Sequence, residues 1–351
     1  MSRPPNDAQV SVSLKHFSGP EFAYLRDFDY FCTAIIITMK TLIVITGPTA
    51  VGKTRLCLSL AKRLGVPIIN ADSRQIYRDM PIGTAAPTEE EQRLVKHYFV
   101  GTLALDAYYS ASMYEQQVME LLPQLFSQSD FALMAGGSMM YIDAVCNGID
   151  DIPTVDDETR TTMKRRLAEE GLEALCEELR RLDPEHWAIV DRKNPRRVVH
   201  ALEICHMTGR TYTSFRKKEK SRNTPLPIQE GARGRGSFRI VKIGLTLPRE
   251  EIYERINRRV DMMMAQGLLD EACRLLPLRH LNALNTVGYK EMFAYLDGTW
   301  SLEEAVERMK GNTRRYARKQ LTWFKRDPAV TWFAPDQEDE ILELILKLHG
   351  E

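Results

Sequence analysis

Short apolar runs alternate along the chain with longer stretches in which apolar residues recur every three or four positions. The short runs are continuous and β-branched, which is typical of parallel strands buried on both faces. The longer stretches have the period of amphipathic helices. The alternation predicts an α/β fold, a parallel sheet with helices on both faces. Its core strands are predicted at residues 42–45, 66–70, 131–135 and 238–247.

Residues 153–193 depart from this alternation. Charged amphipathic segments at 159–170 and 172–182 follow Pro153, and Asp183-Pro184 begins another helix, so a small helical insertion is predicted. The sequence therefore divides into four parts after residue 38. They are the first part of the core at 39–152, the insertion at 153–193, the second part of the core with a basic C-terminal helix at 194–335, and a tail helix at 336–351.

Residues 1–38 precede the first predicted strand. Their apolar stretch at 31–38 is too short for a membrane helix, which needs about 20 residues. It has no small-residue cleavage site, and Met39-Lys40 stands almost directly before a strand. We expect a non-essential extension, so that a chain beginning at Met39 keeps its activity; a true N-terminal arm is the alternative.

The composition, with 44% hydrophobic and 27% charged residues, is typical of a globular protein and excludes a disordered or fibrous chain. The 48 basic and 48 acidic residues cancel, so any surface for nucleic acid must be local. The six cysteines lack metal-ligand spacing and predict free thiols in a reducing cytoplasm. We also expect no membrane partner, because no apolar stretch is long enough to cross one.

A phosphate-binding loop follows the first strand. Residues 47–54 match the pattern GxxxxGK[ST], and a helix is predicted at 55–64. The two glycines let the backbone curl so that its N–H groups and the helix N-terminus point at phosphate oxygens. Lys53 would neutralise phosphate charge, and the Thr54 hydroxyl would bind Mg²⁺. A di- or triphosphate would be held by Gly47, Pro48, Thr49, Ala50, Val51, Gly52, Lys53 and Thr54.

Asp72 stands at the end of the second predicted strand, one strand–helix unit after the phosphate loop. Ligands of open α/β sheets bind at this edge. The carboxylate is therefore a candidate general base or hydrogen-bond acceptor. An aspartate in this position also commonly caps the next helix, so the residue alone leaves both roles open.

The sequence around these residues resembles the tRNA dimethylallyltransferase family. Residues 71–87, ADSRQIYRDMPIGTAAP, are similar to the family's ADSxQxYRxMxIGTAKP. Shorter motifs follow in the family's order at residues 109–110 (YS), 136–141 (GGSMMY), 194–203 (NPRRVVHALE), 287–291 (VGYKE) and 313–325 (TRRYARKQLTWFK). So many motifs in register are hard to obtain by chance.

The resemblance implies transfer of a dimethylallyl group from dimethylallyl diphosphate to N6 of adenosine 37, 3′ to the anticodon of a tRNA. It implies Mg²⁺ as cofactor, a P-loop NTPase-like sheet, and catalytic roles for Asp72, Lys53 and Arg255. We expect a monomer whose insertion holds the anticodon stem. The residues implied to contact tRNA are Asp72, Ser73, Arg74, Gln75, Ser138, Arg160, Arg196, Arg197 and His200.

Three positions depart from the family's pattern. Ser138 replaces a threonine and keeps the hydroxyl, whereas Ala86 replaces a lysine and removes a charge. His200 replaces an arginine, which makes an RNA contact there weaker or dependent on pH.

Two basic segments suit contact with RNA phosphates. Residues 192–222 hold ten Lys or Arg against two Glu, and residues 312–326 hold six basic residues with aromatic side chains between them. A solvated loop and the apolar face of a core helix are the respective alternatives. Arg255 and Arg259 share a helix face and would either reach the diphosphate or form salt-bridged surface.

The residues leave rival functions open. A small-molecule or nucleotide kinase accounts for the phosphate loop but not for the basic C-terminal segment. An adenylate isopentenyltransferase, which modifies free AMP, would need neither the helical insertion nor the residues at 194–197. A non-catalytic RNA adaptor that binds a nucleotide is the third rival.

Overall fold

A computed structural model describes residues 39–150, 152–216, 226–227 and 237–350 of the chain. All of them belong to one unit, Thr38–Glu351. The expected extension at residues 1–38 lies outside the described residues, as do the basic residues 217, 218, 220 and 222. No helix of the described part is both long and apolar enough to cross a membrane.

Among the described residues, the central sheet has seven strands. They are β1 (Thr41–Thr46), β2 (Ile68–Ala71), β3 (His97–Tyr98), β4 (Phe131–Gly136), β5 (Leu226–Pro227), β6 (Ser237–Leu245) and β7 (Val330–Phe333). Their order is β3-β2-β4-β1-β6-β5, and β7 also pairs with β6. Of these described strands, only β5 runs antiparallel to its neighbour. The predicted α/β fold is confirmed, whereas β3, β5 and β7 were not predicted.

The helices of the described residues surround this sheet. They are α1 (Lys53–Leu64), α2 (Pro81–Thr84), α3 (Glu89–Leu94), α4 (Ala111–Phe126), α5 (Met139–Asn147), α6 (Asp157–Leu182), α7 (Pro184–Ile189), α8 (Pro195–Thr208), α9 (Arg249–Ala265), α10 (Leu268–Leu275), α11 (Tyr289–Leu296), α12 (Leu302–Phe324) and α13 (Glu338–Gly350).

Alternate side chains of β1 enter two different apolar cores, which explains its unbroken apolar run. Leu42 and Val44 pack with residues of α4 and α5 on one face of the sheet. Ile43 and Ile45 pack with residues of α1 and α13 on the other face. Every residue of β1 is buried. The strand therefore holds the phosphate loop that follows it in a fixed position.

The helical insertion has its own apolar core. Met163 and Leu175 of α6 pack with Val198 and Leu202 of α8, and α6 is broken at Gly171, between the two predicted segments. The predicted insertion ended at residue 193, whereas this core continues through α8. The spacing of apolar residues alone cannot assign α8 to the insertion or to the main core, because it does not show which of the two cores the buried face of the helix enters.

Candidate active site

The phosphate loop curls at the carboxyl end of β1. Gly47 has φ 148°, and a Cβ added to it would lie 2.7 Å from the Leu245 carbonyl oxygen. Gly52 has φ 112° and caps the N-terminus of α1. Both conformations favour glycine. The helix begins at Lys53, two residues before the predicted start, because Lys53 and Thr54 form its first turn. Backbone N–H groups of a first turn lack helical acceptors and are free to bind phosphate.

Lys53 lies inside this loop. Its Nζ donates to the carbonyl oxygens of Gly47 (2.9 Å) and Pro48 (2.8 Å). Burial and the nearby Arg259 lower the pKa of Lys53 to about 8, and smaller effects of Cys57 and Asp72 oppose the shift. An ammonium with so little hydration gains more from an arriving anion than an exposed lysine would.

Thr54 is exposed and lines the same cavity as Lys53 and Asp72. Its hydroxyl makes no hydrogen bond to any residue in the described part of the chain. The described residues contain no group of three or more His, Cys, Asp or Glu side chains that could hold a metal. Mg²⁺ often takes one or two protein ligands and completes its shell with phosphate oxygens and water. A hydroxyl beside a phosphate loop fits that mode of binding.

Two arginines of α9 face the phosphate loop. Arg255 donates to the Val51 carbonyl oxygen at 3.3 Å and to Glu251 at 2.7 Å. Arg259 reaches the Thr49 hydroxyl at 3.4 Å and forms no salt bridge with any described acidic residue. Burial lowers the pKa of Arg259, and Asp72 partly offsets this effect. Of these two arginines, Arg259 lines the cavity of the phosphate loop, whereas Arg255, which we predicted to be catalytic, lines a neighbouring cavity.

Asp72 follows β2 at the same edge of the sheet. Its Oδ1 accepts from the backbone N–H groups of Arg74 (2.9 Å) and Gln75 (3.3 Å). These residues form a turn and not the start of a helix, so Asp72 caps a turn. The other carboxylate oxygen, Oδ2, makes no hydrogen bond within the described residues. Capping therefore uses one oxygen and leaves the second for a ligand.

Two cavities meet beside Asp72. The phosphate-loop cavity, about 460 Å³, is lined by Lys53, Thr54 and Gln320 among others. The helix-lined cavity, about 330 Å³, has mainly apolar walls from α9 and α12. Both cavities are lined by Thr49, Asp72, Thr84, Arg259 and Tyr316. A phosphate group bound at the loop would thus be separated only by these shared residues from a second molecule bound in the helix-lined cavity.

Hydrogen bonds to backbone groups of other segments fix the residues after Asp72. Gln75 donates from Nε2 to the carbonyl oxygens of Thr84 and Ala85, and Arg74 donates to those of Asn282 and Ala283. These contacts fix the wall of the cavities and compete with the RNA contacts that the resemblance implied. Ser138 is buried, and its Oγ accepts from the Ser73 N–H at 2.7 Å. Its hydroxyl therefore positions the Asp72 turn.

The VGYKE motif has a structural role that the sequence did not indicate. Tyr289 donates to the fully buried Glu271 at 2.6 Å, and Glu271 accepts from the N–H groups of Ile82 and Gly83. Burial raises the pKa of Tyr289, and the hydrogen bond to Glu271 raises it further. Glu291 accepts from the Gly288 N–H and from Asn312. The bonds of Glu271 fix the segment at 81–85, which forms part of both cavity walls, and those of Glu291 join α11 to α12.

The other predicted RNA contacts lie on the helical insertion. Arg196, Arg197 and His200 are exposed on α8, where Asn194 caps the helix by accepting from the Arg197 N–H. His200 lies 3.3 Å from Glu203, and Arg160 lies 3.7 Å from Asp157. Neither Arg196 nor Arg197 has an acidic partner among the described residues, so both are available to phosphates.

These features define an α/β protein with a phosphate loop, cationic side chains against that loop, and a carboxylate between two cavities. The model of the family described as IPP transferase matches residues 75–327. The chain is 59% identical over 307 residues to tRNA dimethylallyltransferase 1 of Bacteroides thetaiotaomicron, covering 88% of this chain and 96% of that protein. The chain belongs to the IPP transferase family.

Solved structures agree with this assignment. The full-length tRNA isopentenylpyrophosphate transferase of Bacillus halodurans is 35% identical with a TM-score of 0.61, over 89% of this chain and 96% of that one. A eukaryotic dimethylallyltransferase acting on tRNA is 24% identical with a TM-score of 0.66, over 84% of this chain and 74% of that one. At that lower identity the second likeness concerns the fold alone.

Proposed function

We propose that this protein transfers the dimethylallyl group of dimethylallyl diphosphate to N6 of adenosine 37, next to the anticodon of a tRNA. The observation that carries the proposal is the position of Asp72, in the wall shared by the phosphate-loop cavity and the helix-lined cavity. A carboxylate there can take a proton from one substrate while the phosphate loop holds the other. The names of the relatives support the same reaction.

The donor binds with its diphosphate in the phosphate loop. The N–H groups of the first turn of α1, the Lys53 ammonium and the Arg259 guanidinium surround the leaving group, with Arg255 beside the loop. Preorganised cations of this kind stabilise charge that develops on a leaving group. The Thr54 hydroxyl would hold Mg²⁺, which would supply further positive charge to the leaving group.

Transfer then breaks the bond between the allylic carbon and the diphosphate oxygen and forms the bond from N6 to that carbon. Resonance in the allyl group spreads the positive charge that develops. The N6 lone pair is a weak nucleophile because it is delocalised into the adenine ring. Asp72 Oδ2 accepts the N6 proton while Oδ1 stays bound to the turn. The products are diphosphate and an isopentenyl-type adenosine.

The acceptor adenine occupies the helix-lined cavity. Ile256, Val260 and Met263 of α9 and Met309 of α12 give it apolar walls, and Tyr316 forms part of the wall toward the donor. To reach this cavity the base must leave the stack of the anticodon loop. The exposed arginines of α8 are suited to hold the RNA backbone. The five described cysteines are free thiols, which supports a location in the reducing cytoplasm. We also propose that the protein is a monomer.

Donor binding should depend on the protonation of Lys53. Its pKa of about 8 in the free protein means that the ammonium is charged below that pH and loses its charge above it. A diphosphate binds the charged form, so donor affinity should fall as the pH rises through about 8, by at most about tenfold per pH unit. Calorimetric titrations with Mg²⁺ from pH 6.5 to 9.5 would measure this. A pH profile that is unchanged in Lys53→Ala would contradict the assignment.

Replacing both Arg196 and Arg197 with alanine should weaken tRNA binding and leave donor binding intact. Each lost phosphate contact should lower the slope of log affinity against log salt by about one unit. The matched control is Arg93→Ala with Arg279→Ala, because both arginines are ion-paired, with Glu89 and Asp297. A salt slope equal to that of the control would show that the α8 pair is ordinary helix surface.

A panel of acceptors separates the proposed function from its rivals. The protein is given labelled dimethylallyl diphosphate together with unmodified tRNA or AMP, and in a separate reaction ATP with tRNA. We expect label on tRNA alone. Label on AMP would indicate an adenylate isopentenyltransferase, transfer of phosphate from ATP would indicate a kinase, and tRNA binding without any transfer would indicate an adaptor.

A further inference from the structure

Gln320 of α12 is a buried polar residue that the reaction above leaves unexplained. It is 2% exposed, yet it lines the phosphate-loop cavity. Its Nε2 donates to the Gly137 carbonyl oxygen at 2.8 Å, and its Oε1 accepts from the Thr49 N–H at 2.9 Å. One side chain therefore joins the phosphate loop to the loop that follows β4.

The chemistry of the partners determines which side chain can make this bridge. Gly137 offers a carbonyl oxygen and needs a donor, whereas Thr49 offers an N–H and needs an acceptor. A glutamine amide supplies both at once, whereas a carboxylate supplies no donor and an ammonium no acceptor. Leaving the buried Gly137 carbonyl oxygen unpaired would be costly. The two partners therefore also fix the orientation of the amide.

The residue opposite the amide must be small. A Cβ added to Gly137 would lie 2.4 Å from Gln320 Nε2, closer than a carbon can approach a nitrogen without a shift of one of them. The hydrogen bond thus depends on the absence of a side chain at Gly137. Glutamine and glycine form a matched pair in which each limits what the other position can accept.

The bridge continues to the turn that carries Asp72. Ser138, the residue after Gly137, donates its N–H to the Ala71 carbonyl oxygen at 3.0 Å and accepts from the Ser73 N–H at 2.7 Å. Asp72 lies between these two residues. A continuous path of hydrogen bonds therefore runs from Thr49 in the phosphate loop, through Gln320, to both neighbours of Asp72.

We propose that Gln320 is a positioning residue that sets the distance between the phosphate loop and Asp72. The inference rests on the proposed function, since it concerns the bound donor and the proton acceptor of that reaction. Both polar atoms of the Gln320 amide are hydrogen-bonded to backbone groups, so we assign the residue no direct part in the chemistry. A misplacement of about 1 Å between reacting groups can cost about 100-fold in rate. The bridge should therefore matter for the transfer step more than for binding.

Gln320→Met keeps the shape of the side chain and removes both hydrogen bonds. We expect its single-turnover transfer rate, counted per donor-binding site, to fall about 10- to 100-fold. Its donor Kd should change less than about threefold, because the phosphate contacts of the first turn remain. Counting sites by calorimetry removes the effect of protein that has unfolded.

Phe324→Leu is the matched control for stability. Phe324 is buried on the same helix, in the core shared with β1. Its replacement should lower the Tm of the protein and leave the rate per donor-binding site unchanged. A structural role for Gln320 would give the same result as this control, whereas a positioning role would not.

A pair of substitutions tests the contact with Gly137 directly. Gly137→Ala alone should slow transfer, because its Cβ displaces the amide, but it should add nothing once Gln320→Ala has removed that amide. Rates per site that multiply in the double variant, or a wild-type rate in Gln320→Met, would overturn the inference while leaving the proposed function standing. Absence of transfer by the wild-type protein would overturn both.

Discussion

Asp72→Asn should slow single-turnover transfer by about 10²- to 10⁴-fold, the usual cost of losing a general base. Asn keeps a side-chain oxygen, so the bonds from the Arg74 and Gln75 N–H groups can persist. The second oxygen becomes an amide NH₂, which cannot accept the N6 proton. The Tm, the donor affinity and the tRNA affinity should therefore stay close to wild type.

Asp79→Asn is the charge-matched control, because Asp79 is exposed at the end of the same turn region. It should transfer at the wild-type rate. Measuring one turnover avoids masking by slow product release. If Asp72→Asn also transferred at a near wild-type rate, Asp72 would be a turn cap, and another group would have to accept the proton.

Lys53→Ala should abolish turnover under ordinary assay conditions. The loss of a hydrogen bond between charged groups costs about 1.5–3 kcal/mol, so donor affinity should fall about 10- to 150-fold. The transfer step should slow further, by at least about 100-fold, because the same ammonium stabilises the departing diphosphate. Calorimetry with Mg²⁺ and single-turnover assays at saturating donor measure the two effects separately.

Lys62→Ala provides the comparison for this prediction. Lys62 lies in the last turn of α1, two turns away from the phosphate loop. Its loss should affect neither donor affinity nor rate. Lys53→Ala with wild-type donor affinity would refute the assignment of the diphosphate to this loop.

Much of the fold follows from the sequence because local pattern and burial agree. The continuous run of β1 is buried on both faces, and the amphipathic segments on either side of Gly171 form α6. The pattern failed for β3, which has only two residues. It also failed for β7, where only Val330 is buried. Strands so short or so exposed leave no period to detect.

The site was predictable where a short continuous segment contains the residues that its chemistry needs. The phosphate loop needs particular residue types at fixed spacing, and Asp72 ends a strand, so the sequence indicates both as candidates. Arg259 and Gln320 were not chosen, because their roles depend on how α9 and α12 pack across the loop. Packing also decides the roles of the aromatic residues of α12, because Phe324 enters the core, whereas Tyr316 lines the two cavities.

The most direct test of the central claim uses a short RNA in place of whole tRNA. An unmodified anticodon stem-loop with adenosine at position 37 is incubated with the protein, Mg²⁺ and dimethylallyl diphosphate, and its nucleosides are analysed by mass spectrometry. We predict isopentenyladenosine at position 37, with one diphosphate released for each group transferred, and no product from the same RNA carrying guanosine there. Intact adenosine at position 37 after prolonged incubation, or modification of any other base, would contradict the account.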